Sequence, residues 1–421
     1  MNKVYVTGAG FITSIGNSYD AVCDSLRTQT TGIERYPAFD TDKIPVKVVG
    51  TIKGFDLESD DPEDWVYPKN YRPSRNLLRS LAPHGLYAYC AVEQALKQAG
   101  LHAETLSDPN TGIHTASAGS PRNLRHHMNR MHELGVERLS PKSVVTSIAG
   151  TLNFCLVSHY KIKGNSCGFV SACASSGHAL GYAFDEIRAG RQERIIVVGA
   201  EDGDLDTLLP FASMRAMSLE HDPLKASKPF DVDRSGFVGT GGAVALILES
   251  ETSITTRNAA PLMEMLGWAQ TSDGYSAVLP EPDGEGLARA MQLALKSSDV
   301  GPAQVDYLNA HATGTPSGDV AELRAIRTVF GEAPSVRISA TKALTGHGLS
   351  LSSILEAGLT LVALKEGFCP GTAHLEKPDP EVGQLRVLQA NDDFRPTIAL
   401  SNSSGFGGAN VSLLFKSVVS R

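Results

Sequence analysis

Short apolar runs and longer amphipathic stretches alternate along almost the entire chain. The runs at 4–7, 194–199, 242–248, 307–310, 337–340, 397–401 and 410–415 are too short for helices and predict buried strands. Between them, 19–27, 85–100, 286–298, 319–330 and 352–366 repeat apolar residues at helical spacing. This alternation predicts an α/β protein whose sheets carry helices on their faces. The polar, Thr-rich stretch 249–260 marks a junction between an N-terminal half, 1–250, and a C-terminal half, 251–421. Residues 56–75 begin acidic, turn basic and read as a surface excursion. Gly8-Ala9-Gly10 follows the first run, but the third glycine of a dinucleotide frame would fall on Thr13. No second strand ending in an acid follows, so a tight strand-to-helix turn is predicted there instead of a nucleotide cradle.

A chain of 421 residues can bury more than one core, either as one large duplicated unit or as two to three domains. With 42% hydrophobic and 20% charged residues, it falls in neither the disordered nor the membrane class. The longest apolar stretch, 144–157, is interrupted by polar residues and is too short to span a bilayer. The opening residues, from Met1, enter a strand without a signal-peptide layout, so a cytoplasmic protein is expected. A net charge of -8 argues against broad nucleic-acid binding and leaves room for a local basic patch. Cysteines at 23, 90, 155, 167, 173 and 369 form no CxxC pair, which fits reduced thiols with neither a disulfide framework nor a metal site.

One of these cysteines stands out. Cys173 lies in Val170-Ser171-Ala172-Cys173-Ala174-Ser175-Ser176-Gly177, where extended residues 166–170 give way to a helical pattern over 174–188. A thiol in the first turn of a helix feels the positive end of the peptide dipoles, which favours the thiolate. Three further segments have the same character, each a strand ending in small, polar or glycine residues. They run from Leu308 through His311, Thr313 and Thr315 to Asp319 and Glu322; from Ser339 through Lys342 to His347; and from Ser401 through Gly405-Phe406-Gly407 to Asn410. Strand ends of an α/β fold display reactive groups, so a cysteine and two histidines at such ends are a candidate nucleophile with two imidazole partners.

In these four segments the chain resembles the elongating β-ketoacyl-acyl-carrier-protein synthases of the KAS I/II type and the related polyketide ketosynthases, which are thiolase-fold condensing enzymes. The likeness runs from the Val-Thr-Gly-x-Gly opening to the Gly-Phe-Gly-Gly-x-Asn close, in the order Cys-His-His. It implies a five-layered α-β-α-β-α fold built from two duplicated halves. It implies that Cys173 takes an acyl group from the phosphopantetheine arm of acyl carrier protein, with no bound cofactor. Its backbone N–H and that of Phe406 would form an oxyanion hole, and His311 and His347 would hold the malonyl thioester carbonyl. Lys342, Asp319, Glu322, Thr313 and Thr315 match supporting positions, and Phe406 with Gly405 and Gly407 matches a gate to the acyl pocket. Arg75, Arg79, Arg138 and Arg215 fall near carrier-docking positions. The resemblance further implies a homodimer, or a heterodimer with a related ketosynthase-like subunit. The chain departs from the family at Ser404, Gly241, Ser235 and Ser350-Leu351-Ser352-Ser353, which suggests a specialised polyene or polyketide-like pathway. A non-condensing partner subunit resembling a chain-length factor is the alternative, but such subunits usually lose the cysteine. An acyltransferase or hydrolase would not need the second histidine.

Overall fold

The computed structural model describes residues 2–419, so Met1 of the opening stretch lies outside the described residues. Two sets of five strands account for the predicted alternation. The first comprises β1 (Val4–Ile12), β2 (Thr111–Ala116), β3 (Ser166–Phe169), β4 (Arg194–Glu201) and β5 (Gly242–Ser250). The second comprises β6 (Met263–Ser272), β7 (Tyr307–Asn309), β8 (Arg337–Ser339), β9 (Ile398–Gly405) and β10 (Ala409–Ser417). Counted within its own set, each follows the spatial order third, second, fourth, fifth, first. In each, the third, second and fourth strands are parallel, and the fifth is antiparallel to both neighbours. The topology is therefore duplicated. The two sets join edge to edge where Val4, Tyr5 and Val6 pair with Met265, Glu264 and Met263.

Six principal helices clothe the sheets: α1 (Tyr19–Thr28), α2 (Pro83–Ala99), α3 (Ser175–Arg188), α4 (Glu285–Ser297), α5 (Pro316–Phe330) and α6 (Ser352–Glu366). The helices α3 and α6 each follow the third strand of their set. They pack on one another and on strands of both sets, forming the central layer. Helix α2 covers the outer face of the first set, while α4 and α5 cover that of the second. The result is the expected α-β-α-β-α layering. Residues 352–364 of α6 are all buried, so this helix has no solvent face and holds its shape through packing on both sides. It stops at Gly367, which adopts a left-handed φ of 75°.

Three features differ from the sequence expectations. Strand β1 continues to Ile12, so Gly8-Ala9-Gly10 lies inside a strand and not in a turn. The glycines serve close packing: a Cβ at Gly8 or Gly10 would run into the Ala95 or Ala91 carbonyl of α2. Strand β2 was unforeseen because Thr111, His114 and Thr115 break its apolar pattern, although all six residues are buried. Strand β6 was missed for a similar reason, since its C-terminal half, with Gln270 and Thr271, is largely exposed. The 56–75 excursion is on the surface as expected, but Leu57 and Trp65 pin it to the core beneath α2.

Candidate active site

The strand β3 ends in a sharp elbow. Ala172 has φ 50°, a left-handed value uncommon for a residue with a Cβ. Ser175 holds the elbow, its Oγ accepting from the Ser171 amide at 2.7 Å and donating to the Ala172 carbonyl at 2.5 Å. Cys173 is thereby lifted into a cleft of about 260 Å³, whose wall also includes His311, His347, Thr313, Thr315 and Phe406. His311 follows β7, and His347 follows a short turn, Lys342–Thr345, beyond β8. Their rings meet edge to face, with centroids 5.3 Å apart at 82°. His347 Nε2 lies 3.0 Å from Cys173 Sγ, and the sulfur and a nitrogen of each ring all lie within 4.8 Å of one another. Three side chains far apart in sequence thus converge on one point.

Buried carboxylates shape the surrounding backbone. Glu322 accepts from the His311 amide at 2.9 Å and the Ala312 amide at 2.7 Å, which fixes the strand end that carries the histidine. Asp319 accepts from the Gly314 and Phe230 amides at 3.0 and 2.8 Å, and Arg234 approaches it at 3.6 Å. Lys342 Nζ donates to the His311 carbonyl at 2.6 Å, lies 3.3 Å from His311 Nδ1 and is ion-paired to Glu356. Thr313 and Thr315 share a hydroxyl contact of 3.0 Å at the cleft wall.

The electrostatics favour neutral groups. Burial first, and the Lys342 charge second, push His347 well below the usual imidazole range. The same two causes, followed by His347 itself, lower His311. Desolvation raises the Cys173 thiol to about 12, opposed mainly by the attraction of Lys342. This corrects the expectation of a helix-stabilised thiolate. Cys173 precedes the first residue of α3, Ser175, and the loss of water around the sulfur outweighs the dipole. The three donors could geometrically share a divalent ion, but the Lys342 ammonium beside His311 disfavours added positive charge there.

The glycine-rich loop closes over the nucleophile. A Cβ at Gly405 would sit 3.0 Å from the Cys173 amide nitrogen, so the loop's backbone reaches that amide closely. Phe406 leans on Phe211 with centroids 5.8 Å apart, and Gly407 takes φ 79° just beyond it. The departures from the family have local partners. Ser404 Oγ donates to Asn410 Oδ1 at 2.7 Å, and Ser235 Oγ lies 3.0 Å from Ser218 Oγ. Gly241 allows close approach to the Gly203 amide. Of the four arginines, Arg75 and Arg79 share Glu63, and Arg215 lies apart from them in the cleft wall. Arg138 ends a short turn, its carbonyl accepting from Arg130 at 3.4 Å.

Sequence reasoning missed three neighbours of the cluster. Glu356 neutralises Lys342, Ser352 Oγ meets His347 Nδ1 at 2.8 Å, and Ser353 Oγ donates to the Cys173 carbonyl at 3.1 Å. A lone acid in the otherwise apolar α6 was a readable signal, because buried carboxylates need partners.

A half-exposed thiol beside two neutral imidazoles, at the strand ends of a duplicated five-layered fold, defines a condensing enzyme of the thiolase-like class. The chain belongs to the β-ketoacyl synthase family: the N-terminal domain model matches residues 1–253 and the C-terminal domain model residues 262–376. It is 34% identical to 3-oxoacyl-(acyl-carrier-protein) synthase 1 of Haemophilus influenzae, over 99% of both chains. It is 36% identical to 3-oxoacyl-(acyl-carrier-protein) synthase 2 of a Synechocystis strain, over 98% of both. In structure it superposes on a β-ketoacyl synthase from Burkholderia phymatum with TM-score 0.91 and 30% identity, covering 100% of each chain. The ishigamide ketosynthase/chain length factor superposes with TM-score 0.87 at 27% identity, covering 99% of this chain and 100% of that one.

Proposed function

We propose that this enzyme condenses an acyl group held on Cys173 with malonyl-acyl carrier protein, releasing carbon dioxide and giving 3-ketoacyl-acyl carrier protein. The convergence of Cys173 Sγ with His311 and His347 at one cleft carries the reading. Decarboxylation leaves an enolate, so the site needs hydrogen-bond donors aimed at one oxygen and no strong base. Two neutral imidazoles can each supply one N–H. The Cys173 and Phe406 amides form the oxyanion hole for the tetrahedral intermediates. Thr313 and Thr315, on the cleft wall, suit the polar pantetheine arm. Lys342, Asp319 and Glu322 hold the histidine-bearing backbone, and Phe406 between flexible glycines gates the acyl pocket.

The acidic carrier protein docks on a rim that includes Arg75, Arg79, Arg138 and Arg215, and its arm brings the substrates without a bound cofactor. The edge strand β3, flanked by exposed Val170 and Phe154, suits pairing with a second copy or with a related ketosynthase-like subunit. Residues 1–250 and 251–421 act as the nucleophile and histidine halves of one folding unit. Among the described residues no helix is long and apolar enough to cross a membrane, and we infer a cytoplasmic setting. The departures at Ser404, Gly241, Ser235 and the 350–353 turn suggest a specialised chain, such as a polyene. Competition between saturated and unsaturated acyl carriers tests that point, and equal use of ordinary saturated chains counts against it. For the reaction itself, intact-mass analysis after mixing with acyl- and malonyl-carrier protein should show an acyl adduct that Cys173→Ala abolishes. An adduct that survives this substitution rejects the assignment.

A further inference from the structure

The loop between β8 and α6 ends in serines, and one of them touches the reacting machinery from behind. Ser352, the first residue of α6, places Oγ 2.8 Å from His347 Nδ1, while Nε2 of the same ring faces Cys173 Sγ at 3.0 Å. Ser352 is 1% exposed and His347 3%, so neither side of the contact is free to exchange its partner for bulk water. The other groups facing the ring are His311, in edge-to-face contact, and the Phe237 ring at 5.1 Å, with the Lys342 charge beyond His311.

We propose that Ser352 is a positioning residue that lets His347 work in both of its tautomers, accepting a proton from Cys173 in acyl loading and donating a hydrogen bond in condensation. This inference rests on the condensation reading above. The two half-reactions ask opposite things of one nitrogen. In loading, the Cys173 S–H proton passes to Nε2 as Sγ attacks the acyl thioester carbon. The tetrahedral intermediate then collapses, the bond to the pantetheine sulfur breaks, and the Nε2 proton passes to that sulfur, which leaves as a thiol. Here Nδ1 carries a hydrogen, and Ser352 Oγ must accept it. In condensation, Nε2 must carry the hydrogen so that it can bond the enolate oxygen, and Ser352 O–H must donate to Nδ1. A hydroxyl satisfies both demands by rotating about its Cβ–Oγ bond, since it is donor and acceptor at once. A backbone amide at the same place could only donate. The ring changes tautomer between the half-reactions by proton exchange with water in the open cleft. The raised thiol makes an internal base useful, because little thiolate forms unaided at neutral pH.

The test compares Ser352→Ala and Ser352→Thr in the full-length enzyme, measuring acyl loading by quenched intact-mass analysis across a pH series. Ser352→Ala should load on the order of tenfold more slowly near neutral pH. The deficit should narrow as pH rises, because hydroxide then removes the thiol proton. Ser352→Thr, which keeps the hydroxyl, should restore both the rate and the flatter profile. Loading by Ser352→Ala at the parental rate and pH dependence overturns the proposal, as does a pH-independent loss that threonine does not repair. Loading of the unmodified enzyme should also slow in heavy water, and the absence of any slowing overturns the proposal whatever the stability of the variants. If the unmodified enzyme takes no acyl group, the condensation reading itself falls. If it loads normally and the serine variants change nothing, only the role of Ser352 does.

Discussion

The third strand of each half hands over to a central helix, and the two handovers have opposite characters. After β3 the connection, 170–174, is short, strained at Ala172 and partly open to solvent. After β8 the connection, 340–351, is long and buried throughout. One topological slot has thus been put to two uses. A nucleophile must be reached by a bulky thioester, so a tight elbow that presents sulfur to a cleft suits it. A hydrogen-bond donor must be neutral, fixed and dry, so a long buried connection braced by Lys342 and Glu356 suits that task.

The buried connection should be the more fragile of the two. Lys342→Ala leaves Glu356 without its partner in a dry site and should cost about 3–5 kcal/mol of folding stability. The double substitution Lys342→Met with Glu356→Leu should recover most of that, as read by denaturant unfolding. An additive double mutant would show that the pair is not coupled.

The same contrast predicts separable chemistry. His311→Ala or His347→Ala should keep Cys173 acylable at a reduced rate but raise the condensation barrier by about 2.7–4 kcal/mol. Product formation from malonyl-carrier protein reads this directly, and normal yield from either variant would contradict the donor role.

The first strands of the halves give a smaller test. Gly10→Ala sets a methyl against a backbone carbonyl of α2 and should destabilise by about 1–3 kcal/mol. Its counterpart on β6, Gly267→Ala, meets the movable Ser298 hydroxyl and should cost less. Equal losses would mean that the two sheets are packed alike.

The mildest test concerns pH. An ordinary thiol finishes ionising not far above its usual value of about 8.5. The folded Cys173 thiol is raised to about 12, so its thiolate fraction should still grow about tenfold per pH unit well above that value. Iodoacetamide labelling of Cys173, followed by peptide mass spectrometry, should therefore keep rising where accessible thiols level off. A plateau near neutral pH would instead restore the helix-stabilised thiolate.

Much of this molecule was legible from patterning. Strands such as β4 and β5 are nearly unbroken aliphatic runs, and the three reacting side chains sit in glycine-rich strand ends that local sequence marks well. What escaped depends on contacts between distant segments. The role of Gly8 and Gly10 becomes visible only with α2 laid across them. The partner of Lys342 lies one helix further on. Burial of β2 is decided by helices on both its faces, which override its polar composition. The charge state of Cys173 was misjudged for the same reason, since desolvation is a property of the assembled cleft and a dipole can be read from one segment.

One contact in the central layer limits how such a protein can be rearranged. Gly177 of α3 has no side chain because Ser353 of α6 and Val411 of β10 fill the space where one would go, with the serine Oγ 3.0 Å from the would-be Cβ. Residue sizes on the two helices are therefore matched across the duplication. Chimeras made by recombining this enzyme with a relative at the midpoint will inherit one member of that pair without the other. A crossover that carries 177 and 353 together should be tolerated far better than one that separates them.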